Sequence, residues 1–363
     1  MVLLILAFLS IALMWIVENT KVSVKEDWYE EKMQASLLMQ KCMKHLKDDE
    51  FANEIAIDNI NDPNETGLVG QQFTEITSGR GSLPMKLSTT NPNFAAVVVQ
   101  LFKDAGLEKG DEVAMCFTGS FPAVNIAVCS AIEVLQLKPL LITSVTSSSW
   151  GANDPEFTWL DMQHSLYDEQ LIHFLPLACS IGGNEDLGKT LSNESRALAE
   201  IAIERNGIPY LNQNSLEGNI DKRMEIFNKN SKDEIKLFVN VGGGIASFGS
   251  NKNAATIHTG LSSEMKIKDI PDNKGVVYHM AQNDIPILNF LNQRILLTKY
   301  GLPIDPIPLP GVGEGILYRS PRYNILIVGI ATVILCGLLI GIVYIDKKQN
   351  RLGNAILSDP ERI

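Results

Sequence analysis

The sequence predicts an α/β fold: a mostly parallel, doubly wound sheet, as one large body or two lobes, between N- and C-terminal transmembrane helices. Three observations lead there. Largely apolar runs, at Val113 to Phe117, Pro139 to Val145 and Ile235 to Val241, alternate with helical patterns. Strands that are apolar throughout belong in parallel sheets with both faces covered by helices. Finally, both ends of the chain are uncharged and apolar over lengths close to a bilayer's thickness.

Met1 to Val17 has Ser10 as its one polar residue, and 17 residues is the lower limit for a helical span. No basic residue precedes the run and no small-x-small site precedes Glu18. It is therefore expected to stay as an anchor (1–17) rather than leave as a signal peptide. Residues 18–50 are charged and helix-prone, and read as a stalk or first helix. Residues 51–90, rich in Asn, Asp, Thr and Gly, read as loop with short elements. The stretch 18–90 is thereby set apart from an α/β domain at 91–322.

Inside that domain, Asn91 to Gly106 reads as a helix capped by Asn or Thr. Val113 to Phe117 is a strand. Ser120 suits the N-cap of a helix over Phe121–Leu135, with Pro122 in its permitted first turn. Pro139 to Val145 closes a βαβ unit, which implies parallel pairing. Asn193 to Asn206 and Leu216 to Asn230 read as helices, Ile208 to Leu211 as a short strand, Ile235 to Val241 as a strand, and Ile287 to Tyr300 as an amphipathic helix. Tyr323 to Ile345 carries no charge over 23 residues and has tyrosines near both ends, as a second span would. A short tail, 346–363, follows. Its Lys347, Lys348 and Arg351 favour a cytoplasmic C-terminus. Two spans would put both termini on that side and the central domain outside the cytoplasm, although Arg319 and Arg322 flank the helix on its other side.

With 31 Lys and Arg against 42 Asp and Glu, the chain carries −11. That argues against a nucleic-acid partner, which needs a basic face. The spans are uncharged and the tail, with four basic and three acidic residues, is +1, so −12 falls on 18–322. The five cysteines (42, 116, 129, 179 and 336) match no zinc or redox spacing. Cys116, Cys129 and Cys179 sit in apolar runs as buried thiols, a pattern that leans away from an oxidising compartment. The five histidines show no metal spacing, and no metal or cofactor is expected.

Four segments are candidates for chemistry. Gly183-Asn-Glu-Asp-Leu-Gly188-Lys189-Thr190 matches the P-loop pattern. However, Glu185 and Asp186 would put negative charge in the cradle, and the helix starts only after Ser192 or Asn193. Thr118-Gly119-Ser120 ends a strand and opens a helix, where parallel sheets bind ligands and free amides attract anions. Ser120 reads either as a cap or as a ligand donor. Its surroundings are not G-x-S-x-G. The loop Ser147 to Glu156 would open on the same edge and adds Ser149, Trp150, Asn153 and Asp154. Asp154 could instead cap a helix with Pro155 at its first position. Gly242 and Gly243, in a run of three glycines, allow close backbone approach. The candidate ligand-binding set is thus Thr118, Gly119, Ser120, Ser149, Trp150, Asn153, Asp154, Gly242 and Gly243, with Ser120 and Asp154 as the candidate catalytic pair. Gly311-Val-Gly313-Glu-Gly315 follows a proline-rich stretch and is no dinucleotide fingerprint.

The segments FTGSFPAVNIAV, SSWGANDPEFTWLDM, SIGGNEDLGKTLS, FVNVGGG and YGLPIDPIPLPGVGEG occur in an order that resembles the poly-gamma-glutamate system proteins, over most of 90–320 and together with the terminal anchors. The resemblance implies a bacterial cell-membrane protein of the machinery that makes and exports poly-gamma-glutamate, a capsule-type polymer. Its partners would be an amide ligase and small membrane subunits. It implies no catalytic residue. Two alternatives stand beside it: an envelope hydrolase or transferase using the Ser120 and Asp154 edge, and a nucleotide-binding subunit using 183–190.

Overall fold

A computed structural model describes residues 2–52, 57–263 and 274–357. Met1 of the expected anchor, 53–56 of the expected loop and 358–363 of the tail lie outside the described residues. The chain divides into two compact units, one made of the residues up to Glu26 and from Arg319 onward, the other of Asp27–Tyr318.

The first unit pairs a helix over Val2–Asn19 with one over Ile325–Leu357. Two strands, Val22–Lys25 and Arg319–Arg322, run antiparallel beside them. Asn324 Oδ1 accepts the N–H of Leu326 at 3.1 Å, so the second helix begins at Ile325 and leaves Tyr323 outside it. Among the described residues one helix, Ile325–Lys348, is long and apolar enough to cross a membrane. The N-terminal apolar stretch, Leu4–Asn19, is shorter than that, so the second expected span is not established.

The second unit is built on a six-stranded sheet. Its strands are β1 (Glu112–Thr118), β2 (Lys138–Ser144), β3 (Ala178–Ser180), β4 (Ile235–Val241), β5 (Gly260–Ser262) and β6 (Ile287–Phe290). The order is β5-β6-β4-β1-β2-β3. All neighbours are parallel except the antiparallel edge pair β5 and β6. Successive residues of β1 point to opposite cores. Val113, Met115 and Phe117 meet one set of helices, while Ala114 and Cys116 meet another. This is why β1 is apolar at every position from Val113 to Phe117 rather than at alternate ones.

The first face is covered by α1 (Tyr29–Ala52), α3 (Phe94–Asp104) and α4 (Pro122–Leu135); α2 (Leu83–Thr89) lies next to them in sequence. The second face is covered by α7 (Leu216–Asn230) and α8 (Val276–Gln282). There Phe227 meets Phe238 edge to face, with ring centres 6.4 Å apart. Between them in the chain come α5 (Trp159–Asp168) and α6 (Asn193–Arg205), and α9 (Gln293–Lys299) follows β6.

Several sequence expectations change. Of the two readings of 18–50, a stalk or a first helix, the structure has the helix, and it belongs to the core: in α1, Ala35, Met39, Cys42 and Leu46 recur at helical spacing and are all buried. The α/β body therefore takes in residues that the sequence reading set outside 91–322. Ile287 to Tyr300 is not one helix. Ile287–Phe290 pairs in parallel with β4, with its residues dividing between the two sheet faces, and only Gln293–Lys299 is helical. Ile208–Leu211 shrinks to one bridge between Cys179 and Tyr210, since Pro209 has no N–H to continue a ladder.

Candidate functional site

From β1 the chain moves outward through β2 and β3, then crosses back to β4 and β6 on the other side. The switch of direction lies between β1 and β4. Open parallel sheets bind ligands in the crevice beyond the strand ends at such a point. Here the carboxyl ends of β1, β2 and β4 open on a cleft of about 990 Å³. The hydroxyl-bearing residues Thr118, Ser144, Thr146 and Ser148 line it, as do Arg80 and Arg294. Among the described residues neither arginine has a carboxylate within ion-pair distance.

The floor is tight. Thr118 Oγ1 donates to Val241 O at 3.4 Å and accepts the Ser120 N–H at 3.2 Å. Gly242, at φ +88°, passes directly over Thr118. The loops after β1 and β2 are tied together. Ser148 N–H donates to Ser120 Oγ at 3.1 Å, Ser147 Oγ donates to Gly119 O at 3.1 Å, and Ala152 N–H donates to Gly119 O at 2.8 Å.

Of the sequence-predicted ligand set, Thr118, Ser120 and Gly243 line the cleft, while Gly119 and Gly242 sit behind that lining. Ser149, Trp150, Asn153 and Asp154 do not line it, because the segment 71–79 covers their loop. Asn153, fully buried, donates to Gln71 O and Thr77 Oγ1, and the N–H groups of Trp150 and Ser149 donate to Gln71 O and Gly79 O.

Neither candidate cap is a cap. Helix α4 has Phe121 at its N-cap, and the Ser120 hydroxyl serves Ser148 instead. Asp154 Oδ1 accepts the Glu156 N–H at 2.9 Å within a short hairpin. Helix α5 starts after Thr158, whose N–H donates to Asp161 Oδ2. No hydrogen bond joins Ser120 to Asp154 among the described residues.

The P-loop-like segment reaches the cleft through Gly183, Asn184, Glu185 and Thr190. Its fold is not a phosphate cradle. The N–H groups of Asp186, Leu187, Gly188 and Lys189 all donate locally, to the carbonyls of Gly183, Asn184, Gly182 and Asn184. Lys189 pairs with Glu185 at 2.5 Å. The Asp186 carboxylate turns inward to Arg223 at 2.6 Å and Ser180 at 2.9 Å, all three residues being buried. Four of the amides that would wrap a phosphate are thus already engaged.

The sequence reading missed Lys86. It lies on α2, at 2% exposure, in a stretch read as loop. The available signal was Ser82-Leu83-Pro84, a capping residue followed by proline in a first helical turn. Lys86 Nζ donates to Ser120 O and, at 3.0 Å, to Ser148 Oγ. It also lies 3.9 Å from the centre of the Phe121 ring. Burial pushes its amine from 10.5 down to about 7.

No known protein-family model, curated protein or solved structure matches this chain.

Proposed function

We propose that this chain is a component of poly-gamma-glutamate synthesis or export, anchored in the membrane at both ends, whose α/β unit binds a carboxylate-bearing ligand in the cleft. The order of the sequence motifs supports the process. The observation that carries the ligand is the pair Arg80 and Arg294, both without a described acidic partner, on a hydroxyl-lined cleft at the sheet's switch point. The −12 carried by 18–322 argues against tracking a polyanion along the surface. A local site would hold one end of it. Under this reading the unit faces outward, beside an amide ligase and small membrane subunits. The engaged amides of Asp186 to Lys189, and the Glu185 carboxylate at the cleft, disfavour the nucleotide reading.

The test is calorimetric titration of the detergent-solubilised full chain with a γ-glutamyl trimer, a γ-glutaminyl trimer and ATP. The expected result is binding of the acidic trimer alone, weakened about tenfold by Arg294→Gln, the loss of one charge-assisted contact. Binding of ATP alone would reject the carboxylate reading. In cells, a deletion that left polymer amount, length and location unchanged would reject the process.

A further inference from the structure

The structure assigns Ser148 and Lys86 as nucleophile and general base of an acyl-transfer site in the wall of this cleft, acting on an amide or ester whose acyl part bears a carboxylate. The choice of substrate rests on the carboxylate reading above; the chemistry does not.

Three observations carry it. Ser148 lines the cleft and is partly exposed, whereas Lys86, in contact with its hydroxyl, is buried. Their side chains are in hydrogen-bond contact at 3.0 Å, and the backbone N–H of Ser148 is fixed on Ser120 Oγ. Lys86 has no carboxylate within ion-pair distance among the described residues. A lysine kept for stability would be expected to have one, because an uncompensated buried charge is costly. Its neighbours are a carbonyl, a hydroxyl and an aromatic face. Burial alone lowers its amine, with no charged group on the packed elements shifting it. A good share is therefore neutral at pH 7–8 and able to take a proton.

The step balances without a cofactor. Neutral Lys86 Nζ takes the Ser148 Oγ proton as Oγ bonds to the acyl carbon, and the carbonyl electron pair moves to oxygen. Collapse breaks the bond to the leaving nitrogen or oxygen, which takes the proton back from Lys86. Water then attacks the Ser148 ester by the same route and returns the proton to Oγ. The net reaction is amide or ester plus water giving acid plus amine or alcohol.

The test treats the full chain in detergent with a fluorophosphonate, which phosphonylates activated serines, and maps the product by mass spectrometry. Labelling is expected at Ser148, at a rate rising with pH through about 7. It should be absent in Ser148→Ala, at least tenfold slower and pH-independent in Lys86→Met, and unchanged in Ser165→Ala, which lies outside the cleft. Ser148→Ala removes one oxygen at a partly exposed site, so it remains informative even if Lys86→Met misfolds. No label at Ser148, or a wild-type rate in folded Lys86→Met, overturns the assignment. A γ-glutamyl trimer that binds a chain unlabelled at Ser148 rejects the chemistry and keeps the carboxylate reading. Labelling at Ser148 with no binding of, or protection by, the trimer does the reverse.

Discussion

A Cβ on Gly242 would lie 2.3 Å from Thr118 Oγ1, and Gly242 itself sits at φ +88°. These two residues close the floor of the cleft where β1 and β4 end side by side. Gly242→Ala thus meets two costs, a left-handed backbone and a clash. Together they should destabilise the unit by about 2–4 kcal/mol. Urea unfolding followed through buried Trp159 measures this. Adding Thr118→Ala should recover the clash part and leave the backbone part, so the two changes should not be additive.

The Asp186–Arg223 pair is buried and further bonded to Ser180 and Asn219. Arg223→Met leaves a carboxylate buried without its cation and should cost about 3–5 kcal/mol. Converting both residues to apolar ones, Asp186→Leu with Arg223→Met, should cost less than Arg223→Met alone. Unfolding midpoints of the three proteins check this; an additive loss would contradict the buried-pair account.

Lys86 makes stability depend on pH with a defined sign. The unfolded chain keeps this proton up to about 10.5, while the folded protein releases it above about 7. Unfolding takes up a proton between those values, so stability rises with pH across the window, and below about 7 the full cost of the buried charge remains. Cys42 and Cys116, pushed by burial from 9.0 up to about 12 and about 11, act oppositely above pH 9. Between pH 7 and 9, wild type should gain about 2–3 kcal/mol relative to Lys86→Met. Equal slopes in the two proteins would show that Lys86 does not titrate there.

Legibility followed locality. β1 and β4 were readable because short, largely apolar, β-branched and aromatic runs followed by glycine suit a strand covered on both faces. Ile287–Phe290 was misread because Ile295, Leu296 and Leu297 follow within a few residues, and together they mimic a helical stripe; only pairing with β4 separates strand from helix. The Gly183–Thr190 pattern was present as letters, but hydrogen bonds within the segment and the inward Asp186 decide its use. Thr118, Ser120 and Gly243 were found because strand ends are local features. Arg80 and Arg294 come from segments far apart in sequence, and the burial of Lys86 is a tertiary fact with no local marker.

Two anchors and one anchor predict different outcomes. Val333 and Ile340, both exposed on the long C-terminal helix, would face lipid in a span. Arginine near the centre of a span costs about 2.5–3.5 kcal/mol per residue, so Val333→Arg with Ile340→Arg should expel that helix. If Met1 to Val17 also anchors the chain, the double variant stays with membranes through alkaline carbonate extraction. Release then requires Phe8→Arg and Ile11→Arg as well. Release by the C-terminal pair alone would leave Ile325–Lys348 as the sole anchor. It would also remove the argument that both termini share one side, because a single span fixes the side of the tail alone.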